Sequence, residues 1–276
     1  MSDDLRIALI GAGAMGEAIT AGLIRRAVVP ASQILASEPR AERRQTLQVD
    51  YQINLTDQNG EAARWGQVVI LAIKPQMLPA VLPQLRGTLR PDALCISIIA
   101  GAPLATFVEG LDHPAVVRAI PNTPAQIGAG MTVWTAAAAV DAQQRAWAQM
   151  VLSALGQELF VDDEHYLDMA TALSGSGPAY FFLILEAMID AGVHIGFPRH
   201  IAETLVTQTM LGAVQYAQQS DLHPAQLRNA VTSPGGTTAA ALSAMERGGL
   251  RTTLSDGVWA AYRRSAELGR QNQEEE

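Results

Sequence analysis

"LRIALIGAGAMGEAI" (Leu5–Ile19) decides how the first half of the chain is read. A short apolar run ends in Gly11, Gly13 and Gly16, spaced G-x-G-x-x-G, and a helical pattern opens directly behind them. Each glycine has a separate task. Gly11 permits the tight turn, Gly13 lets the backbone approach a pyrophosphate, and Gly16 lets the helix lie close against the strand. The pyrophosphate would rest on the positive start of the helix, against the backbone of Ala12, Ala14 and Met15. Glycine turns of this kind are common in structural loops. It is the strand before and the helix after that make this one a dinucleotide site.

Working outward, the same alternation repeats. "RIALI" (6–10), "QILAS" (33–37), "VVILAI" (68–73), "LCISII" (94–99) and "AVVRAI" (115–120) are continuous apolar runs, as strands buried on both faces of a parallel sheet read. Segments 17–27, 40–49, 77–85 and 104–109 suit the crossover helices, and a mostly parallel α/β Rossmann sheet with helices on both faces follows. "MTVWT" (131–135) and "QELFV" (157–161), on either side of a helical 141–155, extend the sheet edge.

From residue 162 the strand signals stop and apolar-rich helical stretches continue through 266. The expected division is therefore a dinucleotide-binding domain over 1–161 and an all-α domain over 162–276. "PAYFFLILEAMIDAGVHIG" (178–196) is apolar nearly all the way round, which demands burial on every side. So small a helical domain cannot bury it alone. A second subunit is expected to cover it. The tail "GRQNQEEE" (269–276) is expected to fray.

Composition narrows the class further. A net charge of -8 argues against nucleic acid or an anionic membrane as partner, and 49% hydrophobic residues support a substantial core. The single cysteine, Cys95, cannot form an internal disulfide and sits in an apolar run, so a reducing cytoplasm and a core position are expected. The opening "MSDDLRIALIGAG" does not read as a signal peptide. The longest uninterrupted apolar stretch falls short of the roughly 20 residues that span a bilayer. The five histidines show no metal-ligand spacing, and no metal is expected.

The end of the second strand normally selects the cofactor. In "ASEPRAERR" (36–44), Glu38 stands where an acid would hold a ribose 2′-hydroxyl and favour NADH. Ser37 and Arg40 beside it suit the 2′-phosphate of NADPH instead. Arg43 and Arg44 fit that phosphate or a solvated helix face equally well. "LAIKPQ" (71–76) ends another strand with Lys74, the chain's sole lysine, placed where ligands bind in such sheets. Ala72, Ile73 and Pro75 around it are expected to line the cofactor, with Asn59, Ala100, Gly101 and Asn122.

Several stretches together resemble pyrroline-5-carboxylate reductase. They are "IGAGAMGEAI" (10–19), "LAIKPQ" (71–76), "VRAIPNTPAQIGAGMT" (117–132), "LSGSGPAYFFLILEAMIDAGV" (173–193) and "SPGGTTAAAL" (233–242), in the family's order and spacing. The resemblance implies NAD(P)H-dependent reduction of 1-pyrroline-5-carboxylate to L-proline. It also implies a helical domain that interlocks two subunits, and often a ring of such dimers. The chain departs from the family at Asn229, where Asp is common, and at Glu38, where many relatives have a plainer Ser-Pro stretch.

The loop "VTSPGGTTAAAL" (231–242) carries no His, Cys, Lys, Asp or Glu. A cyclic imine is largely protonated near neutral pH, so no strong enzymic acid is needed. Orientation and one hydroxyl suffice. Thr238 matches the family's loop threonine and is expected to meet the imine nitrogen. Gly235, Gly236 and Thr237, at a helix start, suit the substrate carboxylate, while Ser233 would cap the turn or add a hydrogen bond. By resemblance Glu164 reaches the substrate, although a solvated acidic linker reads equally well. Ser176 reads both as a close approach to substrate and as the cap of a break between helices. A non-catalytic NADP sensor and a reductase of a related cyclic imine are the alternatives. A β-hydroxyacid dehydrogenase is excluded, because the required helix lysine is missing from 175–187.

Overall fold

The structure, a computed structural model, describes residues 5–274. Eight strands form one sheet: β1 (Ile7–Ile10), β2 (Ile34–Ser37), β3 (Asn54–Thr56), β4 (Val68–Leu71), β5 (Leu94–Ser97), β6 (Val116–Ile120), β7 (Gly130–Ala136) and β8 (Gly156–Phe160). Their order is β3-β2-β1-β4-β5-β6-β7-β8, and every pairing is parallel except β6 with β7. The order reverses between β1 and β4. That switch point is where open α/β sheets bind ligands.

The apolar runs are continuous because alternate residues serve opposite faces. Ile7 and Leu9 of β1, Val68 and Ile70 of β4, and Leu94 and Ile96 of β5 enter one core. Helices α1 (Ala14–Arg25), α2 (Ala41–Tyr51) and α6 (Ala142–Ser153) cover that face through Ile19, Leu23, Leu47, Val151 and Leu152. Ala8, Ile10, Val69, Leu71 and Cys95 enter the other core, under α3 (Asn59–Trp65), α4 (Leu78–Leu85) and α5 (Leu104–Leu111). Burial pushes the Cys95 thiol up to about 12.

β3 and α3 have no counterpart in the sequence reading. β3 is a short edge strand with only Thr56 buried, so its residues never form an apolar run. α3 buries just Ala62 and Ala63.

The remaining helices are α7 (His165–Ala170), α8 (Gly177–His194), α9 (Arg199–Gln218), α10 (Pro224–Ala230), α11 (Thr237–Arg247) and α12 (Leu250–Glu274). The chain forms two compact units, and these part elsewhere than the change in sequence character at 162. The sheet unit keeps everything through Ser176 and takes back the end of α12 from Ala261, while Gly177–Ala260 form the second unit. The physical reason is visible in the first unit. Leu167 of α7 packs on Ile120 and Val133, Ser265 donates to Asp168 at 3.0 Å, and the Tyr262 hydroxyl meets His165 Nε2 at 3.1 Å. The tail does not fray as expected, since α12 continues to Glu274; the last two residues lie outside the described ones.

Within the second unit α8 and α9 approach closely: a Cβ on Gly192 would stand 2.9 Å from that of Ala202. The rest of α8 is open, with Gly177 its only buried residue and Phe181, Phe182 and Leu183 more than 60% exposed. The expectation of burial on every side is not met within one chain. An 18-residue window within the helical run His165–His194 also reaches a mean hydropathy of 1.4, enough by length and composition to cross a bilayer. Counting only uninterrupted apolar residues overlooked it, because polar residues are scattered along the run.

Candidate active site

The three glycines of the turn stand in different surroundings. Gly11 has φ +95, and its Cβ would stand 2.8 Å from the Ala72 carbonyl oxygen and from Ile73 Cγ2. The turn thus lies against the end of β4, at the switch point. A Cβ on Gly16 would collide with the Gly11 carbonyl oxygen, so only glycine lets α1 start there. A Cβ on Gly13 would meet nothing within 4 Å. Gly13 is the N-cap of α1 and no side chain caps the helix. Its first N–H groups therefore face an open cradle, which fits a pyrophosphate.

At the end of β2 the side chains are already engaged with one another. Glu38 is buried, while the Arg40 side chain is 68% exposed. Arg40 Nε and Nη2 fork onto Glu38 Oε1 and Oε2 at 2.8 and 3.3 Å, and the Arg40 N–H adds a bond at 3.1 Å. Burial alone would raise the Glu38 carboxyl, but these Arg40 bonds outweigh it and hold the group below its ordinary value. Ser37 Oγ donates to Asn59 Oδ1 at 2.7 Å, and Asn59 Nδ2 donates to Gln84 at 2.9 Å. Ser37, Glu38, Arg40 and Asn59 are thus brought together. Arg44 is not a freely solvated residue: its Nη1 donates to the Glu38 and Pro39 carbonyls at 2.7 and 2.8 Å. Lys74 is exposed at the end of β4, beside Pro75.

Two expected ligand contacts are occupied by structural partners. Asn122, expected to line the cofactor, is held by the protein itself. Its Nδ2 donates to the Ser174 carbonyl at 3.0 Å and its Oδ1 accepts from the Met131 N–H at 2.9 Å. Glu164 Oε1 accepts from Arg118 Nη1 and from the Leu104 N–H, each at 2.8 Å, so it is neither a solvated linker nor an unengaged carboxylate. Arg118 was overlooked, although a signal existed. A charge inside the apolar run "AVVRAI" must be paired if that run is a buried strand.

Ser176 follows a π-helical turn, Thr171–Gly175, that joins α7 towards α8, and its N–H donates to the Thr171 carbonyl at 2.8 Å. The expected break between helices is this wide turn, a feature frequent at functional sites.

In the second unit, Gly235 has φ +68 and the Gly236 N–H donates to the Ser233 carbonyl at 3.1 Å. A Cβ on Gly236 would stand 2.8 Å from Ser233 Oγ, which can rotate aside, so the residue that holds this loop to glycine is Gly235 with its positive φ. α11 starts at Thr237 with Gly236 as N-cap and no side-chain cap. Ser233 therefore shapes the loop without capping the helix. The helix-start donors around Thr237 and Thr238 remain available to an anion.

Comparison with known proteins agrees with both halves. The family description "Pyrroline-5-carboxylate reductase dimerisation" matches residues 164–268, and "NADP oxidoreductase coenzyme F420-dependent" matches residues 6–101. The chain is 44% identical to pyrroline-5-carboxylate reductase of Synechocystis sp. over 96% of this chain and 99% of that one. It is 45% identical to that of Pseudomonas aeruginosa over 96% and 97%. Plasmodium falciparum pyrroline carboxylate reductase, solved with NADP bound, superposes with a TM-score of 0.89 at 29% identity, covering 97% of this chain and 99% of that one. The chain belongs to the pyrroline-5-carboxylate reductase family.

Proposed function

We infer that this protein is an NAD(P)H-dependent oxidoreductase that reduces 1-pyrroline-5-carboxylate to L-proline, the final step of proline biosynthesis. The observation that carries the reading is shared by both units. α1 behind Gly13 and α11 behind Gly236 are glycine-led helix starts without a side-chain cap, each suited to an anion. The first suits a pyrophosphate, the second a small carboxylate.

When bound, the cofactor supplies the hydride for the imine carbon. The chain's residues do the rest by orientation. The N–H groups following Gly235 and Gly236 hold the substrate carboxylate. The Thr238 hydroxyl hydrogen-bonds the imine nitrogen, whose own basicity replaces an enzymic acid. NADPH is the favoured cofactor, with NADH as the alternative, because the acid that would hold a 2′-hydroxyl is already forked by Arg40. The group exposed there is a guanidinium.

The protein self-associates, as an interlocked homodimer and further as a ring of dimers. The exposed apolar residues of α8 support this, and we assign them to a second copy of the chain rather than to lipid. The acidic balance and single buried cysteine support a cytoplasmic enzyme that does not bind nucleic acid.

The test is loss of NADPH and NADH absorbance on adding pyrroline-5-carboxylate. A rate that depends on substrate, faster with NADPH, is expected. Cofactor binding without substrate-dependent oxidation would favour the sensor alternative.

A further inference from the structure

Glu17 sits in the first turn of α1, the helix whose start forms the pyrophosphate cradle. An unmasked carboxylate there would repel the phosphates that the helix start attracts. Neither of its oxygens is unmasked. Arg43 Nη2, from α2, pairs with Glu17 Oε2, and the Tyr51 hydroxyl, from the end of the same helix, donates to Oε1 at 3.0 Å. The same guanidinium turns its Nε to the Ala12 carbonyl at 3.2 Å, inside the glycine turn. Arg43 and Glu17 are both partly buried, with side chains 21% and 30% exposed, so solvent screens the pair incompletely.

We propose that Arg43 is a positioning residue for dinucleotide binding: it masks the Glu17 charge at the cradle and pins the turn through Ala12. Arg43 is reserved to this task and does not receive the 2′-phosphate. The inference rests on the dinucleotide reading of the glycine turn. It explains why α2, an otherwise polar helix, lays Arg43 and Tyr51 together against α1. These residues stand eight apart, about two helical turns, and so share one face.

Equilibrium binding of NADPH and of NADH is measured by nicotinamide fluorescence for wild type, Arg43→Gln, Glu17→Gln and the double variant. Circular dichroism melts confirm that each is folded. Arg43→Gln should weaken both cofactors equally, about tenfold at low salt, and the defect should shrink as salt rises. Glu17→Gln should bind at least as well as wild type, and in the double variant it should restore most of the loss. The proposal is overturned if Arg43→Gln binds like wild type. It is equally overturned if the double variant is no better than Arg43→Gln, or if NADPH alone is weakened. Should Arg43→Gln not fold, weaker binding by Glu17→Gln would overturn it. Failure of wild type to bind either cofactor would instead overturn the dinucleotide reading.

Discussion

Arg118 on β6 and Glu164 at the start of α7 are joined by a hydrogen-bonded ion pair of 2.8 Å, with the Arg118 side chain only 5% exposed. Asp168 adds a second carboxylate at 3.7 Å from Nη2, and Glu164 also accepts the first N–H of α5. A charge on a central strand thus ties α5 and α7 to the sheet. Removing Glu164 leaves the buried Arg118 with only the more distant Asp168 to offset its charge. Glu164→Ala should lower stability by about 2 kcal/mol, discounted from a fully buried pair because Glu164 is partly exposed. Urea unfolding followed by fluorescence checks this. An unchanged midpoint would show that the pair contributes nothing.

The loop before α11 is expected to act through one hydroxyl. Thr238→Ala should reduce kcat about a hundredfold, the scale of one positioned hydrogen-bonding group lost from the transition state, while the KM for the cofactor changes little. Thr238→Ser should recover most of the rate. Steady-state kinetics with both variants decide it, and an unchanged kcat would remove Thr238 from the mechanism.

Cofactor preference should reside in the exposed guanidinium at the end of β2. Arg40→Ala should weaken NADPH binding about tenfold, one charge-assisted contact to a phosphate, and leave NADH nearly unaffected. Calorimetric titration with each nucleotide tests this, and equal losses for both would move the preference elsewhere.

The Glu38 carboxyl has a pH signature with a definite sign. Its folded-state pKa lies below the ordinary value of 4.5, so its contribution to stability is present above that value. It is lost as pH falls from about 4.5 through the depressed folded value. Urea unfolding between pH 5 and pH 3 should show Glu38→Gln losing less stability on acidification than wild type. Parallel curves for the two proteins would contradict the assignment.

The apolar face of α8 predicts an obligate oligomer. Sedimentation at micromolar concentration should find no stable monomer of the wild type. Phe182→Glu, a charge placed on a residue 61% exposed in the single chain, should shift the population towards monomer or aggregate. A wild-type monomer would refute the dimer.

Local patterns made much of the fold legible. Strands β1, β2, β4, β5 and β6 are buried on both faces, so every residue in them is apolar or must be paired, and the runs stand out. β3 and α3 were hidden because an edge strand and a helix resting on two alanines need no apolar run. The division between units was hidden for a different reason. Composition changes at 162, but Leu167, Asp168 and Ser265 decide what packs with the sheet, and Ser265 lies 97 residues from Asp168.

For the site, the glycine spacing by itself determined the tight turn between β1 and α1, because Gly11 and Gly16 answer to backbone geometry that any such turn imposes. The loop "SPGGTT" likewise announced its helix start, now seen as α11 with an uncapped first turn. What only the tertiary structure decided was the assignment of charged side chains. Arg40 holds Glu38, Arg43 faces Glu17 and Ala12, and Arg44 binds two carbonyls. Asn122 and Glu164 are likewise engaged by partners 52 and 60 residues away at Ser174 and Leu104. A glycine is read from its own backbone, whereas a long polar side chain takes whichever partner folding brings within 3 Å, and one-dimensional order does not contain that distance.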